Sequence, residues 1–168
     1  LAVSMFLKFD DVKPAEKIEE NKAVAEKKNN KSLTEKVAVK APVAGETVLL
    51  SEVKDEVFSK EIMGKGIAVL PEAGEVKAPF NGTVSTVFPT KHAIGLVSDD
   101  GVEVVIHVGL DTVELDGKYF ESFVTDGQKV SEGDLMLRFD IAKIKEAGYD
   151  VTTPVVVTNS SNYLDVLE

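Results

Sequence analysis

The sequence predicts an all-β protein: an antiparallel sandwich or barrel built on a duplicated motif, with one or two short helices. Three observations predict it. From residue 37 onward, short runs rich in Val, Ile, Thr and Phe recur, and these residues fit a pleated, half-buried surface. Gly, Pro, Asn and Asp separate the runs at intervals of about ten residues, the spacing of sandwich and barrel strands. Finally, Val39-Lys40-Ala41-Pro42, two residues and then Gly45, recurs as Val76-Lys77-Ala78-Pro79, two residues and then Gly82, an offset of 37.

Residues 1–9 are an apolar end. Its apolar run stops far short of the about 20 residues that span a bilayer, and no basic region precedes it as in a secretory signal. It reads either as a simple apolar end or as the last turns of a membrane helix. Residues 10–36 hold seven acids and seven lysines with almost no large apolar residue, the composition of a flexible charged linker. The folded domain is expected over 37–168.

Strands are expected at 37–41, 46–50, 66–70, 75–78, 82–87, 93–98, 102–108, 119–123, 135–139 and 153–158. In each copy of the repeat the strand stops at proline, which cannot donate to a ladder, and glycine reopens the chain into the next strand. Two copies make a duplicated unit in which one packs against the other. Helices are expected at 141–147 and 160–166, the second with Ser160 as N-cap. The turns at Asp126-Gly127-Gln128-Lys129-Val130 and Glu132-Gly133-Asp134 resemble those of biotinyl or lipoyl carriers. Lys129 lacks the flanking pattern of their modified lysine, so the segment reads as a structural turn.

The 168 residues suit one domain with a tail. Absence of cysteine excludes disulfides, thiolate metal sites and a cysteine nucleophile within these residues and fits a reducing compartment. The net charge is −10, and residues 37–168 carry 22 acids against 11 bases. Such a field offers no basic stripe for phosphates, so nucleic acid is not an expected partner. A basic protein would be drawn in.

His92 and His107 are the only histidines. They flank two β-runs around Asp99-Asp100-Gly101, the pattern of a hairpin. A two-residue Asp99–Asp100 loop puts them directly opposite, and an Asp100–Gly101 loop makes them diagonal neighbours on one face. A three-residue loop with Gly101 left-handed puts them on opposite faces unless a bulge restores the phase. Paired neutral imidazoles can accept a phosphoryl group on one ring and stabilise it from the other, can bind zinc with a carboxylate, or can simply hydrogen bond within a sheet.

The run Thr90-Lys91-His92-Ala93-Ile94, then Gly101-Val102-Glu103, then His107-Val108-Gly109-Leu110-Asp111-Thr112-Val113 resembles the glucose-type IIA domain of the bacterial sugar phosphotransferase system. Val57-Phe58-Ser59-Lys60, Met63-Gly64-Lys65-Gly66 and Pro154-Val155-Val156-Val157 match further family segments in order. The likeness covers the chain from about residue 37 onward.

The resemblance implies an antiparallel sandwich on a duplicated motif and a phosphoryl relay without a cofactor or metal. The carrier HPr delivers phosphate, the IIA domain holds it on histidine, and a IIB cysteine receives it. By position His107 is the phosphoacceptor, bonded through Nε2 while Nδ1 is tied to backbone. His92 is the supporting histidine and Thr90 assists it. Val57, Phe58, Phe88 and Val113 match an apolar ring that docks the partner, and Asp55 and Asp111 match acidic positions that steer it. Gly109 would leave room beside the ring for the visiting histidine. The domain would be cytoplasmic, free or within a membrane permease; in the fused case residues 1–9 end a IIC membrane domain and 10–36 are the tether. A zinc hydrolase or a regulatory binding module on a related duplicated β-fold are the rival readings.

Overall fold

The computed structural model describes residues 4–9 and 36–167. The expected linker up to residue 35 lies outside the described residues, as does the start of the apolar run at 1–3. Strands β1 (Ser4–Phe9), β2 (Lys36–Lys40), β3 (Gly45–Leu49), β4 (Lys65–Pro71), β5 (Glu75–Lys77) and β6 (Gly82–Val87) come first. Then follow β7 (Ala93–Ser98), β8 (Glu103–His107), β9 (Phe120–Ser122), β10 (Lys129–Val130), β11 (Leu135–Phe139), β12 (Thr153–Val157) and β13 (Tyr163–Leu167). The described helices are α1 (Glu56–Ser59) and α2 (Ile141–Glu146), each capped by an aspartate side chain, Asp55 and Asp140.

A seven-stranded sheet runs β10-β6-β7-β8-β12-β4-β3, with two three-stranded sheets, β13-β1-β2 and β5-β11-β9. Every pairing among the described strands is antiparallel. The expected helix at 160–166 is instead a 3-10 turn, Ser160–Asn162, followed by β13. There the segment pairs with β1, in register Phe9↔Tyr163, so a distant partner overrides a local helical spacing.

The repeat forms a reciprocal contact. The Lys40 N–H donates to the Pro79 carbonyl at 3.1 Å, and the Lys77 N–H donates to the Pro42 carbonyl at 2.8 Å. Each copy thus binds the proline carbonyl of the other. Val39 and Val76, the matching valines, are both buried in the main core.

That core fills one side of the large sheet with Val69, Val84, Leu96, Val104, Ile106 and Val155 among others. A smaller cluster of Leu50, Val53, Phe58, Ala68, Leu110 and Val156 is separate from it. Because strand side chains alternate, Val155 and Val157 reach the first cluster while Val156 between them reaches the second. This is why β12 is buried at every residue. The same alternation along β8 sends Val104 and Ile106 into the main core and leaves His107 facing the other way, toward the smaller cluster.

Candidate functional site

The β7–β8 hairpin adopts the three-residue loop. Its register pairs Val97 with Glu103 and Ala93 with His107. The Ser98 N–H donates to the Val102 carbonyl, and Gly101 is left-handed at φ 89°. Continued pleating would put the two histidines on opposite faces. They meet all the same, because His92 precedes β7. It lies in a bend behind a tight turn in which the Lys91 N–H donates to the Phe88 carbonyl and Lys91 is left-handed at φ 56°. Strand alternation does not govern it there. The ring centroids are 4.8 Å apart and the planes cross at 80°.

Each ring is held through Nδ1. His107 Nδ1 lies 2.7 Å from the Gly109 carbonyl oxygen. A carbonyl only accepts, so Nδ1 carries the proton, and in the neutral ring Nε2 keeps its lone pair. His92 Nδ1 lies 2.5 Å from Thr90 Oγ1. The His92 carbonyl also accepts from the Val108 N–H at 2.7 Å, tying the two histidine segments together.

Burial, reinforced by His107, pushes the His92 imidazole from 6.5 down to about 4. Burial also lowers His107, opposed by the Gly109 hydrogen bond and by the negative charges of Asp55 and Asp111. Both rings are therefore mainly neutral at pH 7, which is the state in which an imidazole nitrogen is nucleophilic.

Of the residues expected to dock a partner, Val57, Phe88 and Val113 are exposed at 42%, 36% and 49%. Phe88 meets the His92 ring edge-on, centroids 5.6 Å apart. Phe58 differs. It is buried in the smaller cluster and packs against His107 at 5.2 Å, so it supports the ring rather than presenting a surface. Asp55 accepts from the Val57 N–H at 2.8 Å, capping α1, while its charge acts on His107. Asp111 is left-handed at φ 58° and opens the 3-10 turn Thr112–Leu115.

Gly109 serves a different end from the one expected. Its φ is 79°, and an added Cβ would lie 2.5 Å from Thr112 Cγ2 and 2.8 Å from the Asp150 carbonyl oxygen. The space it spares is taken by the protein itself. Sequence reasoning passed over Ile62, which is 68% exposed and whose N–H donates to the Val57 carbonyl. Its place in Lys60-Glu61-Ile62-Met63-Gly64 gave no periodic signal. Among the described residues no group of three or more His, Asp or Glu is placed to hold a metal ion, and no helix is long and apolar enough to cross a membrane.

Residues 37–163 match the family model described as phosphoenolpyruvate-dependent sugar phosphotransferase system, EIIA 1. A "PTS system beta-glucoside-specific EIIBCA component" of Bacillus subtilis (strain 168) is 54% identical over 125 residues, 74% of this chain and 20% of that protein. The same-named component of Dickeya chrysanthemi is 54% identical over 126 residues, 75% and 20% of the two chains. The chain thus spans about a fifth of the length of these curated relatives. Among solved structures, glucose permease IIA from Mycoplasma capricolum matches with a TM-score of 0.70 and 38% identity, covering 77% of this chain and 92% of that one. The expected sandwich and the paired histidines thus meet a match that spans most of the folded part: the chain belongs to the EIIA 1 family of the phosphoenolpyruvate-dependent sugar phosphotransferase system.

Proposed function

We propose that His107 accepts a phosphoryl group from the phosphohistidine of HPr on Nε2 and passes it to a IIB cysteine. The observation that carries this reading is the Gly109 carbonyl at His107 Nδ1, which leaves Nε2 as the only ring nitrogen with a free lone pair. As the bond from phosphorus to the HPr nitrogen breaks, the bond to Nε2 forms, and the departing ring recovers its electron pair. The Nδ1–H stays on the Gly109 carbonyl and helps bear the positive charge that develops on the ring. In this reading the Thr90 hydroxyl, which can donate or accept, donates to His92 Nδ1, and the His92 proton on Nε2 binds a phosphoryl oxygen. Catalysis is then positioning and charge stabilisation. No cofactor enters.

Val57, Phe88 and Val113 form the apolar rim that meets the carrier and excludes water. Asp55 and Asp111 attract its basic side chains. Because the relatives' names are those of fused beta-glucoside components, IIB and IIC domains belong on the same polypeptide, the sugar is a beta-glucoside, and this domain works on the cytoplasmic side. A zinc hydrolase lacks a third ligand among the described residues.

Incubation with labelled phosphoenolpyruvate, enzyme I and HPr tests the reading. Label labile to acid and stable to base is expected on the wild type, none on His107→Ala, and label that is retained but poorly passed on in His92→Ala. Reversed roles for the two variants would overturn the residue assignment, and an unlabelled, folded wild type would overturn the relay.

A further inference from the structure

The selection of Nε2 depends on where one carbonyl points, and the structure shows what aims it. The Gly109 carbonyl and the Leu110 N–H belong to one planar trans peptide, so they point in opposite directions. The Leu110 N–H donates to the Asp150 carbonyl at 2.9 Å. Anchoring that end aims the other at His107 Nδ1. Asp150 is itself held: its Oδ1 accepts from the Thr152 N–H at 2.8 Å and from Thr152 Oγ1 at 2.6 Å.

The two preceding peptides, His107–Val108 and Val108–Gly109, are each fixed by one bond. The Val108 N–H donates to the His92 carbonyl, and the Val108 carbonyl accepts from Thr112 Oγ1 at 2.5 Å. Thr112 is fully buried, and its methyl lies where a Gly109 Cβ would be. A valine has the same shape and would fill the same space, so what the hydroxyl adds is this single bond to the loop beside His107.

We infer that Thr112 and Asp150 are positioning residues that, by locking the peptides on either side of Gly109, fix His107 as the Nδ1–H tautomer and so direct phosphoryl transfer to Nε2. Neither touches the reacting atoms. The inference rests on the relay proposed above, since it names what selects the accepting nitrogen.

Nitrogen-15 spectra of the unphosphorylated protein at pH 7.5 read the tautomer directly, and phosphorus–nitrogen coupling after labelling reads which nitrogen is modified. Thr112→Val and Asp150→Ala should each populate the Nε2–H tautomer of His107 and slow phosphate acceptance roughly tenfold, by analogy with the loss seen when the partners that orient metal-binding histidines are removed. Thr112→Ser and Asp150→Asn, which keep the hydroxyl and the accepting oxygen, should restore both readouts. If Thr112→Val fails to fold, Asp150→Ala against Asp150→Asn carries the test. Folded variants with an unchanged tautomer, or a Thr112→Ser as impaired as Thr112→Val, would overturn the inference. Failure of the relay itself would show separately, as a wild type that takes no label on His107.

Discussion

His92 makes the protein sensitive to acid by an amount that can be worked out. Its folded pKa is about 4 against an ordinary 6.5, because the ring is buried and faces a second imidazole. Above pH 6.5 neither the folded nor the unfolded ring holds the extra proton, and nothing is lost. As the pH falls, the unfolded ring takes up a proton that the folded ring refuses. Stability drains until the folded ring protonates near pH 4, and then the loss stays constant. At 1.36 kcal/mol per unit, the loss from this residue reaches about 2 kcal/mol near pH 5, before most carboxylates titrate. The assay is urea unfolding of wild type and His92→Gln at pH 7.5 and pH 5. The wild type should lose about 2 kcal/mol more than the variant, with equal m-values. His107 contributes to both proteins and cancels in the difference. Equal losses, or a His92 ring that titrates near 6.5 by proton NMR, would refute the reasoning.

Gly109→Ala should destabilise by about 2–4 kcal/mol in a urea melt, because alanine there pairs a left-handed backbone with contacts that cannot be relieved. Phe58→Ala should cost about 3–4 kcal/mol by the same assay, the cavity cost of a buried aromatic ring, and should broaden the His107 ring signals that Phe58 now confines. Added salt should slow phosphate transfer from HPr in stopped-flow or quench assays if the acidic field steers the carrier. A rate flat from low to high ionic strength would remove steering as a factor.

Much of the architecture was legible because period-two patterning survives burial of one face. β6, β7 and β11 fall on the expected residues, and the other strands expected from 37 to 158 differ by a single residue at one or both ends. What was not legible depended on distant parts of the chain. Tyr163–Leu167 carries helical spacing but is drawn into a ladder by β1. β10 has only two residues and exists because β6 offers an edge. α1 is a single turn announced by nothing except Asp55, whose capping role is local while its charge works on His107. In the site, the resemblance named both histidines and Thr90, and the structure brings all three together. It could not say that Phe58 lies beneath the ring or that Asp150, far along the chain, anchors the peptide beside it, since neither signal is written in neighbouring residues.

The crossed proline carbonyls of the two copies carry a consequence for how this architecture arose and how it tolerates change. Contacts of this kind use the main chain alone, so they survive drift in almost every flanking side chain. Two such units on separate chains would have to find one another by diffusion. Joined in tandem, they meet at an effective concentration in the millimolar range set by the connecting segment. Symmetry kept in the peptide groups leaves the side chains of both copies free to change, and both supply the site: Asp55 and Phe58 from the first, His92 and His107 from the second.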